Sequence, residues 1–460
     1  MATPNNQTFE NLYFIGIGGI GMSGLAEMAL AKGLRVKGSD INPSENTKRL
    51  KNLGAEIFDR HDASQVSGCD LVIYSSAIND KNPEIQRCQN EAIPLWHRSK
   101  LLHYFCKDTT SICVTGTHGK TTTSALIAHM LEAMHEQPSY IIGGILNNTG
   151  SPTRLGHSKL FVAEVDESDG SFQIFHPYIS VVTNIEADHM EYYETLENMT
   201  AAYANYMSQT DEDGQLIVGW DNKLISEVSE PFRERRLAYG VKIGCDVRAI
   251  NIKFEGKTTR FTAVLERQLI ECSIPLIGKH NVVNALCALS VAKALELDLT
   301  KACKALESFA GVKRRMSLVF ENAKISIYDD YAHNPGKIAA AVGCLKNSFP
   351  NKKLYVAFQP HRYSRLDTMY EEMLACLEDS DHLYILPVFS AGESTDKDFS
   401  PTRLAKDFKA RYHPNVFACE NLEFAAQMIY NDCNDNEAIV VTIGAGDIYK
   451  VGQMLKNLFG

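Results

Sequence analysis

A buried strand that runs through a glycine turn directly into a helix is the strongest constraint in this sequence. In SICVTGTHGKTTTSALIAHML an apolar run passes Val114, which occupies the first glycine position of the general phosphate-loop motif, and a helical period follows. Glycines let backbone N–H groups approach phosphate oxygens, and the helix N-terminus adds its positive dipole end. Lys120 supplies charge to the β- and γ-phosphates, and Thr121 supplies a hydroxyl to Mg²⁺. The predicted ATP-binding residues of this turn are Gly116, Thr117, His118, Gly119, Lys120, Thr121 and Thr122.

Acidic side chains follow the next two predicted strands, LFVAEVD and ISVVTN. In an open α/β sheet the carboxyl ends of the strands line the ligand crevice, so these side chains are expected beside the triphosphate. Mg²⁺ prefers oxygen ligands and takes one or two protein carboxylates besides substrate phosphates. We predict Glu164 and His189 as the first ligands from a wider set of polar positions. That set is Glu164, Asp166, Glu167, Asp169, Asn184, Glu186, Asp188 and His189.

A second glycine turn lies near the N-terminus, in FIGIGGIGMSG. Its G-x-G-x-x-G spacing, with Asp40 placed 19 residues beyond Gly21, matches a dinucleotide-binding fingerprint. The fingerprint does not by itself specify a dinucleotide, because such a turn can bind any pyrophosphate group. The sequence therefore leaves a nicotinamide dinucleotide and a UDP-sugar open at this turn. The residues predicted here are Gly16, Gly18, Gly19, Gly21, Asp40, Ser75 and Ser76.

The chain has 460 residues, which exceeds what one hydrophobic core serves. Three stretches alternate strand and helix patterns, and the alternation predicts open α/β sheets. We expect an N-terminal Rossmann-like domain over 1–108, a central phosphate-loop domain over 109–315 and a C-terminal Rossmann-like domain over 316–460. Short β-ribbons between 247 and 277 predict an addition to the central sheet.

Composition excludes several classes of protein. Lysine and arginine total 46 against 56 aspartates and glutamates, a net charge of −10, which argues against nucleic-acid partners. No apolar run approaches the about 20 residues of a membrane span, and the polar start MATPNNQTFE lacks the pattern of a secretion signal. Twelve cysteines without C-x-x-C pairs predict reduced, mostly buried thiols. We therefore expect a cytoplasmic enzyme with no membrane partner.

The assembled motifs resemble the Mur ligase family along nearly the whole chain. The matching strings, in order, are GIGGIGMSG, SSAI with NPEI, GTHGKTTT, EVDESDGSF, TNIEADHM, GKHNVVNA, GVKRR, DDYAHNP and QPHRYSR. The resemblance implies a UDP-binding N-terminal domain, a central ATPase domain and a C-terminal domain that receives an amino acid.

The resemblance also implies a reaction. ATP would phosphorylate the lactyl carboxylate of UDP-N-acetylmuramate, and L-alanine would attack the acyl phosphate to release phosphate, in cytoplasmic peptidoglycan precursor synthesis. It implies Mg²⁺, with Mn²⁺ as a substitute, three small-molecule substrates, and a monomer or weak homodimer. The segment ETLENMTAAYANYMSQ contains no lysine, whereas several later-acting members use a carbamoylated lysine there. That absence favours alanine addition.

The resemblance implies a role at the ATP site for several residues of this sequence. Thr121 and Glu164 resemble ligands of one Mg²⁺, and His189 resembles a ligand of a second. His280 and Asn281 resemble adenine-side residues, and Asp330 resembles the ribose-side carboxylate. The residues predicted to act in catalysis are Lys120, Glu164, His189 and Arg315, the last as the arginine that reaches the nucleotide phosphates.

The amino-acid site would come from Tyr331, His333, Arg362 and Arg365. The QPHRYSRLDTMYEEML pattern predicts a helix beginning after Pro360, with the two arginines on one face. A guanidinium fork suits the α-carboxylate of alanine. The sequence departs from the family pattern D-D-Y-x-H-H-P at Asn334, which replaces the second histidine.

Three alternatives remain open at this point. A recycling ligase that joins a murein peptide to the same UDP-muramate shares the ATP machinery, and the N-terminal turn and HRYSR favour alanine addition over it. A nicotinamide-dependent oxidoreductase would explain the first turn but neither the second turn nor the acidic strand ends. A phosphate-loop switch or motor gives no reason for two flanking Rossmann-like domains.

Overall fold

The computed structural model describes residues 9–265, 268–411, 415–433 and 437–460, so the polar segment 1–8 lies outside the described residues. The chain divides into two compact units, and each carries its own part of the predicted site. The first contains the residues up to Ile252 with Phe261–Ile274 and Val282–Ala310. The second contains Lys253–Arg260, Pro275–Asn281 and Gly311–Gly460. The domain boundaries at 108 and 315 stay predictions.

The first sheet of the first unit is five-stranded and parallel, in the order β3-β2-β1-β4-β5. Its strands are β1 (Asn11–Ile15), β2 (Arg35–Ser39), β3 (Glu56–Phe58), β4 (Leu71–Tyr74) and β5 (Leu95–His97). Its helices are α1 (Ile20–Ala31), α2 (Glu45–Asn52), α3 (Pro83–Asn90) and α4 (Arg98–Cys106). Ser44 caps α2 by accepting from Thr47 N–H, as its residue type predicts. The glycine turn thus joins β1 to α1, near the carboxyl end of the sheet.

The second sheet has ten strands in the order β15-β14-β13-β12-β11-β10-β6-β9-β7-β8. Its strands are β6 (Thr110–Thr115), β7 (Ser139–Ile141), β8 (Thr153–Arg154), β9 (Leu160–Glu164), β10 (Ile179–Val182), β11 (Gln215–Gly219), β12 (Arg236–Gly240), β13 (Val247–Glu255), β14 (Thr258–Leu265) and β15 (Gln268–Ile274). Its helices are α5 (Lys120–Ala133), α6 (Met190–Tyr193), α7 (Leu196–Ser208), α8 (Lys223–Val228), α9 (Lys279–Ala294) and α10 (Leu299–Leu306). Strand β6 pairs in parallel with β9 and β10, so the turn after β6 lies between the two acidic strand ends.

The third sheet lies in the second unit, in the order β16-β17-β21-β18-β19-β20. Its strands are β16 (Ser317–Glu321), β17 (Ile325–Asp330), β18 (Lys353–Phe358), β19 (His382–Ile385), β20 (Val416–Ala418) and β21 (Ala438–Ile443). Its helices are α11 (Pro335–Ser348), α12 (Tyr363–Thr368), α13 (Tyr370–Ala375), α14 (Pro401–Arg411), α15 (Leu422–Cys433) and α16 (Tyr449–Phe459). Only the edge strand β16 is antiparallel to its neighbour among the described strands of this sheet. The predicted fold class, three α/β parts with a β-ribbon addition to the central one, is confirmed.

Two expectations are corrected by the structure. Cys272 of β15 and Cys303 of α10 form a disulfide, whereas the other ten cysteines are free, so the expectation of reduced thiols is wrong for this pair. The two residues are 31 positions apart, and the packing of β15 beside α10 that joins them leaves no local sequence pattern. The second correction concerns α12, which begins at Tyr363 and ends before Met369. Within the described residues, no helix combines the length and apolar character needed to cross a bilayer.

Candidate active site

The phosphate loop joins β6 to α5 through two glycines with positive φ. Gly116 has φ +127°, and a Cβ there would lie 2.2 Å from Thr183 Oγ1, so the turn closes only with glycine. Gly119 has φ +83° and precedes the first residue of α5. Asn184 fixes the middle of the loop, since its Oδ1 accepts from His118 N–H at 2.9 Å and its Nδ2 donates to the His118 carbonyl at 2.8 Å. The loop is therefore fixed in shape by the segment that follows the neighbouring strand β10.

Lys120 lies at the first turn of α5 with its ammonium group among carboxylates. Its Nζ donates to the Gly116 carbonyl at 2.7 Å and forms an ion pair with Glu167 at 2.8 Å. Burial acts to lower the pKa of Lys120, but the charges of Glu167 and Asp166 outweigh it and raise the pKa, so the ammonium form is favoured. Glu167 is 2% exposed. The sequence named Glu167 only within the acidic set and did not predict this pairing.

Thr121 and Glu164 are brought together as predicted for a shared cation. Thr121 Oγ1 donates to Glu164 Oε1 at 2.9 Å, and Gly143 N–H donates to Glu164 Oε2 at 2.6 Å. The other residues of the loop contribute shape and one contact between a histidine and a carboxylate. Thr117 Oγ1 donates to the Glu186 carbonyl, and His118 Nε2 lies 3.1 Å from Glu186 Oε2. Thr122 is half-buried in the first turn of α5.

His189 adopts a left-handed conformation, φ +56°, just before α6. Its Nε2 lies 4.0 Å from Glu167 Oε1 and 4.0 Å from Asp188 Oδ2. Glu167 thus lies between Lys120 and His189, which connects two residues predicted separately. Among the described residues, no group of three or more histidine, cysteine, aspartate or glutamate side chains is arranged to hold a metal ion. The roles of Thr121, Glu164 and His189 as metal ligands stay predictions.

The first glycine turn is tied to the end of β2. Gly16 N–H donates to the Ser39 carbonyl, and Gly19 N–H donates to the Gly16 carbonyl. Both carboxylate oxygens of Asp40 are engaged, Oδ2 by Gly18 N–H at 2.8 Å and Oδ1 by Asn42 N–H at 2.9 Å. Asp40 therefore holds the turn in shape through these two hydrogen bonds. Its predicted contact with a ribose is not tested by these bonds.

A cavity of about 900 Å³ opens beside this turn, between the strand end of β4, the helix α4 and the segment after β9. Ser76 Oγ donates to Asp169 Oδ2 at 2.5 Å, and His97 Nε2 lies 3.0 Å from the same hydroxyl. Ser75, at the end of β4, is half-buried and Ser76 is exposed. The cavity lining combines Ser76, Asn79, His97, Lys100, His103 and Asp169 with apolar side chains.

Arg98 is a residue that the sequence reasoning missed. Its Nη2 donates to Asp166 Oδ2 at 2.7 Å, which joins the start of α4 to the segment that follows β9. Burial acts to raise the pKa of Asp166, but Arg98 and Lys120 together hold it below the ordinary value. The only available signal was a basic residue at the start of a predicted helix. Such a residue does not indicate a binding site, because many helices begin with one and bind no ligand there.

The second unit carries the predicted adenine-side and ribose-side residues. His280 is exposed and Asn281 is buried in the first turn of α9, where Asn281 Nδ2 donates to the Ile277 carbonyl at 2.8 Å. Asp330 ends β17, and its two oxygens accept from Met316 N–H and Ala332 N–H, both at 2.7 Å. These contacts hold the positions in place, and their nucleotide roles stay predictions.

The neighbouring residues Arg314 and Arg315 make different contacts. Arg314 donates to the carbonyls of Gly444 and Gly446 at 2.6 and 3.0 Å and lies 3.5 Å from Asp329. It therefore stabilises the end of β21. Arg315, the residue predicted to reach phosphates, lies over the Tyr331 ring at 5.8 Å.

The predicted amino-acid residues surround a second histidine that the sequence did not single out, His361. Arg365 Nη1 donates to His361 Nδ1 at 3.1 Å, and the His361 ring lies 6.1 Å from the His333 ring. His333 Nδ1 donates to the Tyr331 carbonyl at 2.9 Å. Burial lowers the pKa of His333 to about 4, and burial with the nearby arginines lowers the pKa of His361 to about 4. Both rings are neutral at neutral pH.

Arg362 does not share a helical face with Arg365, contrary to expectation. It precedes α12 with φ +67°, and its side chain is half exposed, 4.0 Å from Glu393. The reason is the turn that follows β18: Arg362 N–H donates to the Phe389 carbonyl, which delays the helix until Tyr363. Its predicted contact with a carboxylate stays a prediction.

Comparison with known proteins gives the class. Residues 11–110 match the Mur ligase family, catalytic domain; residues 114–292 match the Mur ligase middle domain; and residues 314–446 match the Mur ligase, glutamate ligase domain. The chain belongs to the Mur ligase family.

Within that family, the chain is similar to UDP-N-acetylmuramate–L-alanine ligases over nearly its whole length. The chain is similar to the UDP-N-acetylmuramate–L-alanine ligase of Desulfatibacillum aliphaticivorans, 36% identical over 96% of this chain and 97% of that protein. It is equally similar to that of Geobacter sulfurreducens, 36% identical over 96% of each. Its structure resembles the UDP-N-acetylmuramate-alanine ligase of Thermotoga maritima, with a TM-score of 0.83 at 30% identity over 98% of this chain and 99% of that one. A murein peptide ligase from Psychrobacter arcticus, at 20% identity and a TM-score of 0.69, shares the fold.

Proposed function

We propose that this protein joins L-alanine to the lactyl carboxylate of UDP-N-acetylmuramate, with ATP converted to ADP and phosphate. The observation that carries the proposal is the phosphate loop of Gly116, Lys120 and Thr121 beside Glu164, in a chain whose relatives of this name match along nearly its full length. The reaction makes chemical sense of two glycine turns. ATP is consumed at one turn, and the other turn binds the UDP group by which the acyl substrate is recognised.

The chemistry runs in two balanced steps. A carboxylate oxygen attacks the γ-phosphorus, the bond from that phosphorus to the β,γ-bridging oxygen breaks, and ADP leaves. The amine of alanine then attacks the acyl carbon, loses a proton, and expels phosphate. Carboxylates are poor acyl donors at neutral pH, and phosphorylation supplies the leaving group. The protein contributes positioning and charge, for which we propose Lys120 and Arg315 at the transferring phosphoryl group.

We propose that Thr121 and Glu164 hold a Mg²⁺ with the ATP phosphates. A hydroxyl and a carboxylate oxygen 2.9 Å apart are the oxygen donors that Mg²⁺ prefers. The ion would neutralise phosphate charge during transfer. We propose His189 as a ligand of a second Mg²⁺, and its Nε2 lies 4.0 Å from the Glu167 carboxylate beside Lys120.

We propose that alanine binds in the second unit near Tyr331, His333, Arg362 and Arg365. Two neutral histidines beside two arginines support this, because the guanidinium groups take a carboxylate while unprotonated imidazoles accept from an ammonium group. Asn334 caps α11 by accepting from Lys337 N–H at 2.9 Å. The residue that departs from the family pattern therefore has a structural task here.

Two other functions are less well supported. A murein-peptide recycling ligase shares the fold, but its similarity to this chain is far lower than that of the alanine-adding relatives. A nicotinamide-dependent oxidoreductase leaves the phosphate loop unexplained. We further propose that the protein works in the cytoplasm, where ATP is supplied, as a monomer or weak homodimer.

The test is phosphate release with each component left out in turn. The complete mixture contains ATP, Mg²⁺, UDP-N-acetylmuramate and L-alanine. We expect release only in the complete mixture, with a product heavier than the sugar nucleotide by one alanine residue. Release that ignores the sugar nucleotide or alanine would contradict the proposal. Faster turnover with a murein tripeptide than with alanine would identify the recycling ligase instead.

A further inference from the structure

We propose that Arg98 holds the diphosphate of the UDP-sugar and thereby links the first glycine turn to the ATP loop. This inference rests on the proposed function and names a substrate-binding residue for it. Arg98 is the first residue of α4, which follows the edge strand β5.

The guanidinium group of Arg98 lies against the first glycine turn. A Cβ built on Gly21 would lie 3.2 Å from Arg98 Nη1, with no other atom closer to it. Gly21 is in the first turn of α1, where backbone N–H groups have no intrahelical acceptor. The Arg98 side chain is 23% exposed, so it is reached from the crevice but is not a freely moving surface group.

The first turn needs a cation from elsewhere in the chain. A diphosphate carries at least two negative charges, and the sequence GIGGIG at 16–21 contains no lysine or arginine. Asp40 adds a negative charge at this turn and uses the Gly18 N–H. The second turn, by contrast, contains its own Lys120. Without a basic residue from a neighbouring element, the diphosphate would contact only backbone N–H groups and the positive end of the helix dipole.

Arg98 has the donors for this task. A guanidinium group carries five N–H donors in a planar fork that matches phosphate oxygens. Among the described residues, the hydrogen-bond acceptor of Arg98 is Asp166, which takes one donor of Nη2 at 2.7 Å. The donors on the Gly21 side remain for a ligand.

Through Asp166, Arg98 also connects the first glycine turn with the ATP loop. Asp166 lies two residues beyond β9 and feels the charges of both Arg98 and Lys120. The Asp166 carboxylate therefore bonds to the cation at the first turn and interacts electrostatically with the cation of the second. The geometry points to a guanidinium group held in place from the ATP side, so a correctly placed UDP-sugar and a correctly placed triphosphate favour each other.

The experiment compares wild type with Arg98→Ala, Arg98→Lys and the control Arg35→Ala. Arg35 is an exposed arginine of the same sheet, paired only with Glu10 among the described residues. Titration calorimetry with UDP and, separately, with ATP and Mg²⁺ measures the two sites. KM values for both nucleotides in the ligation assay complete the set.

We expect Arg98→Ala to weaken UDP binding at least tenfold and to raise the KM for UDP-N-acetylmuramate similarly. ATP binding without UDP should change less than twofold, and millimolar guanidinium chloride should restore part of the lost UDP affinity. Arg98→Lys should fall between, because it keeps the charge but loses the fork. Arg35→Ala should match wild type.

Unchanged UDP binding in Arg98→Ala would overturn the inference while leaving the proposed function intact. Equal losses of UDP and ATP affinity with no rescue by guanidinium would also overturn it, since they indicate a structural role. A wild-type protein that binds no UDP would overturn the proposed function and the inference together.

Discussion

Lys120 and Glu167 show how a single residue pair prepares the ATP loop. The ammonium group of Lys120 needs a counter-charge where it lies, and the nearly buried Glu167 provides one at 2.8 Å. Triphosphate oxygens would compete for the same ammonium group. The pair therefore keeps Lys120 charged at the loop, where its Nζ also donates to the Gly116 carbonyl.

Lys120→Ala is expected to lower phosphate release at least about 100-fold, because the charge at the transferring phosphoryl group is lost. It should also destabilise the fold by up to about 3–5 kcal/mol, because Glu167 is left buried without its partner. The double variant Lys120→Ala/Glu167→Gln should regain stability but not activity. Urea unfolding and a phosphate assay check both halves. Wild-type turnover by either variant would contradict the assignment.

Arg362→Lys is expected to raise the KM for alanine about tenfold or more and to leave the KM for ATP nearly unchanged, because a lysine loses bidentate contact with a carboxylate. Arg403→Lys is the matched control, since Arg403 lies on α14 and pairs with Asp407. Initial rates at varied alanine and varied ATP give both constants. Equal shifts in the two KM values would refute the placement.

At the scale of residues, the sequence predicted the groups that stand in short motifs. Lys120, Thr121 and Glu164 follow strands whose pattern is local, and the structure brings all three to one edge of the sheet. Glu167, His361 and Arg98 act through partners 40 to 70 positions away or through burial, for which a single sequence has no periodic signal. The hydrogen bonds of Asp40 were likewise hidden, because the motif fixes its position but not its partner.

At the scale of elements, the two histidines of the second unit show why loops at strand ends carry chemistry. His333 follows β17 and His361 follows β18, and both strands run parallel to β21 between them. Their carboxyl ends meet at one edge, which brings the rings within 6.1 Å. The same edge holds Arg365, and its charge acts against protonation of both rings.

The folded protein should lose stability as pH falls from about 6.5 to about 4. In this range the unfolded state binds protons at these histidines, whose ordinary pKa is 6.5, while the folded state, with each pKa at about 4, does not. His333→Asn and His361→Asn should each make the fall in unfolding free energy shallower. His157→Asn, at an exposed position, is the control. Urea titrations at pH 7, 6, 5 and 4 measure it, and identical slopes in all four proteins would contradict these pKa values.

Element type was easier to predict than element order. The strands β1, β6 and β17 begin three regions whose apolar runs and helical periods are evident in the sequence. The order of strands within each sheet depends on pairing between distant segments, as when β21 inserts between β17 and β18. The late start of α12 was not predicted either, because it depends on a backbone hydrogen bond from Arg362 N–H to the Phe389 carbonyl.

At the scale of the whole molecule, both glycine turns lie in one compact unit and the predicted alanine residues lie in the other. Ser76 with Asp169, and Arg98 with Asp166, tie the two sheets of the first unit together by polar contacts. The three α/β parts were predictable from patterning, whereas the grouping of two sheets into one unit depends on those cross-sheet contacts.

The central claim is that ATP activates the carboxylate of the sugar nucleotide as an acyl phosphate. Isotope transfer tests it most directly. UDP-N-acetylmuramate labelled with ¹⁸O in both oxygens of the lactyl carboxylate is incubated with ATP, Mg²⁺ and L-alanine, and the released phosphate is examined by mass spectrometry. We predict one ¹⁸O atom per phosphate, ADP as the nucleotide product and an intact UDP group on the joined product. Phosphate without label, or label in AMP, would contradict it.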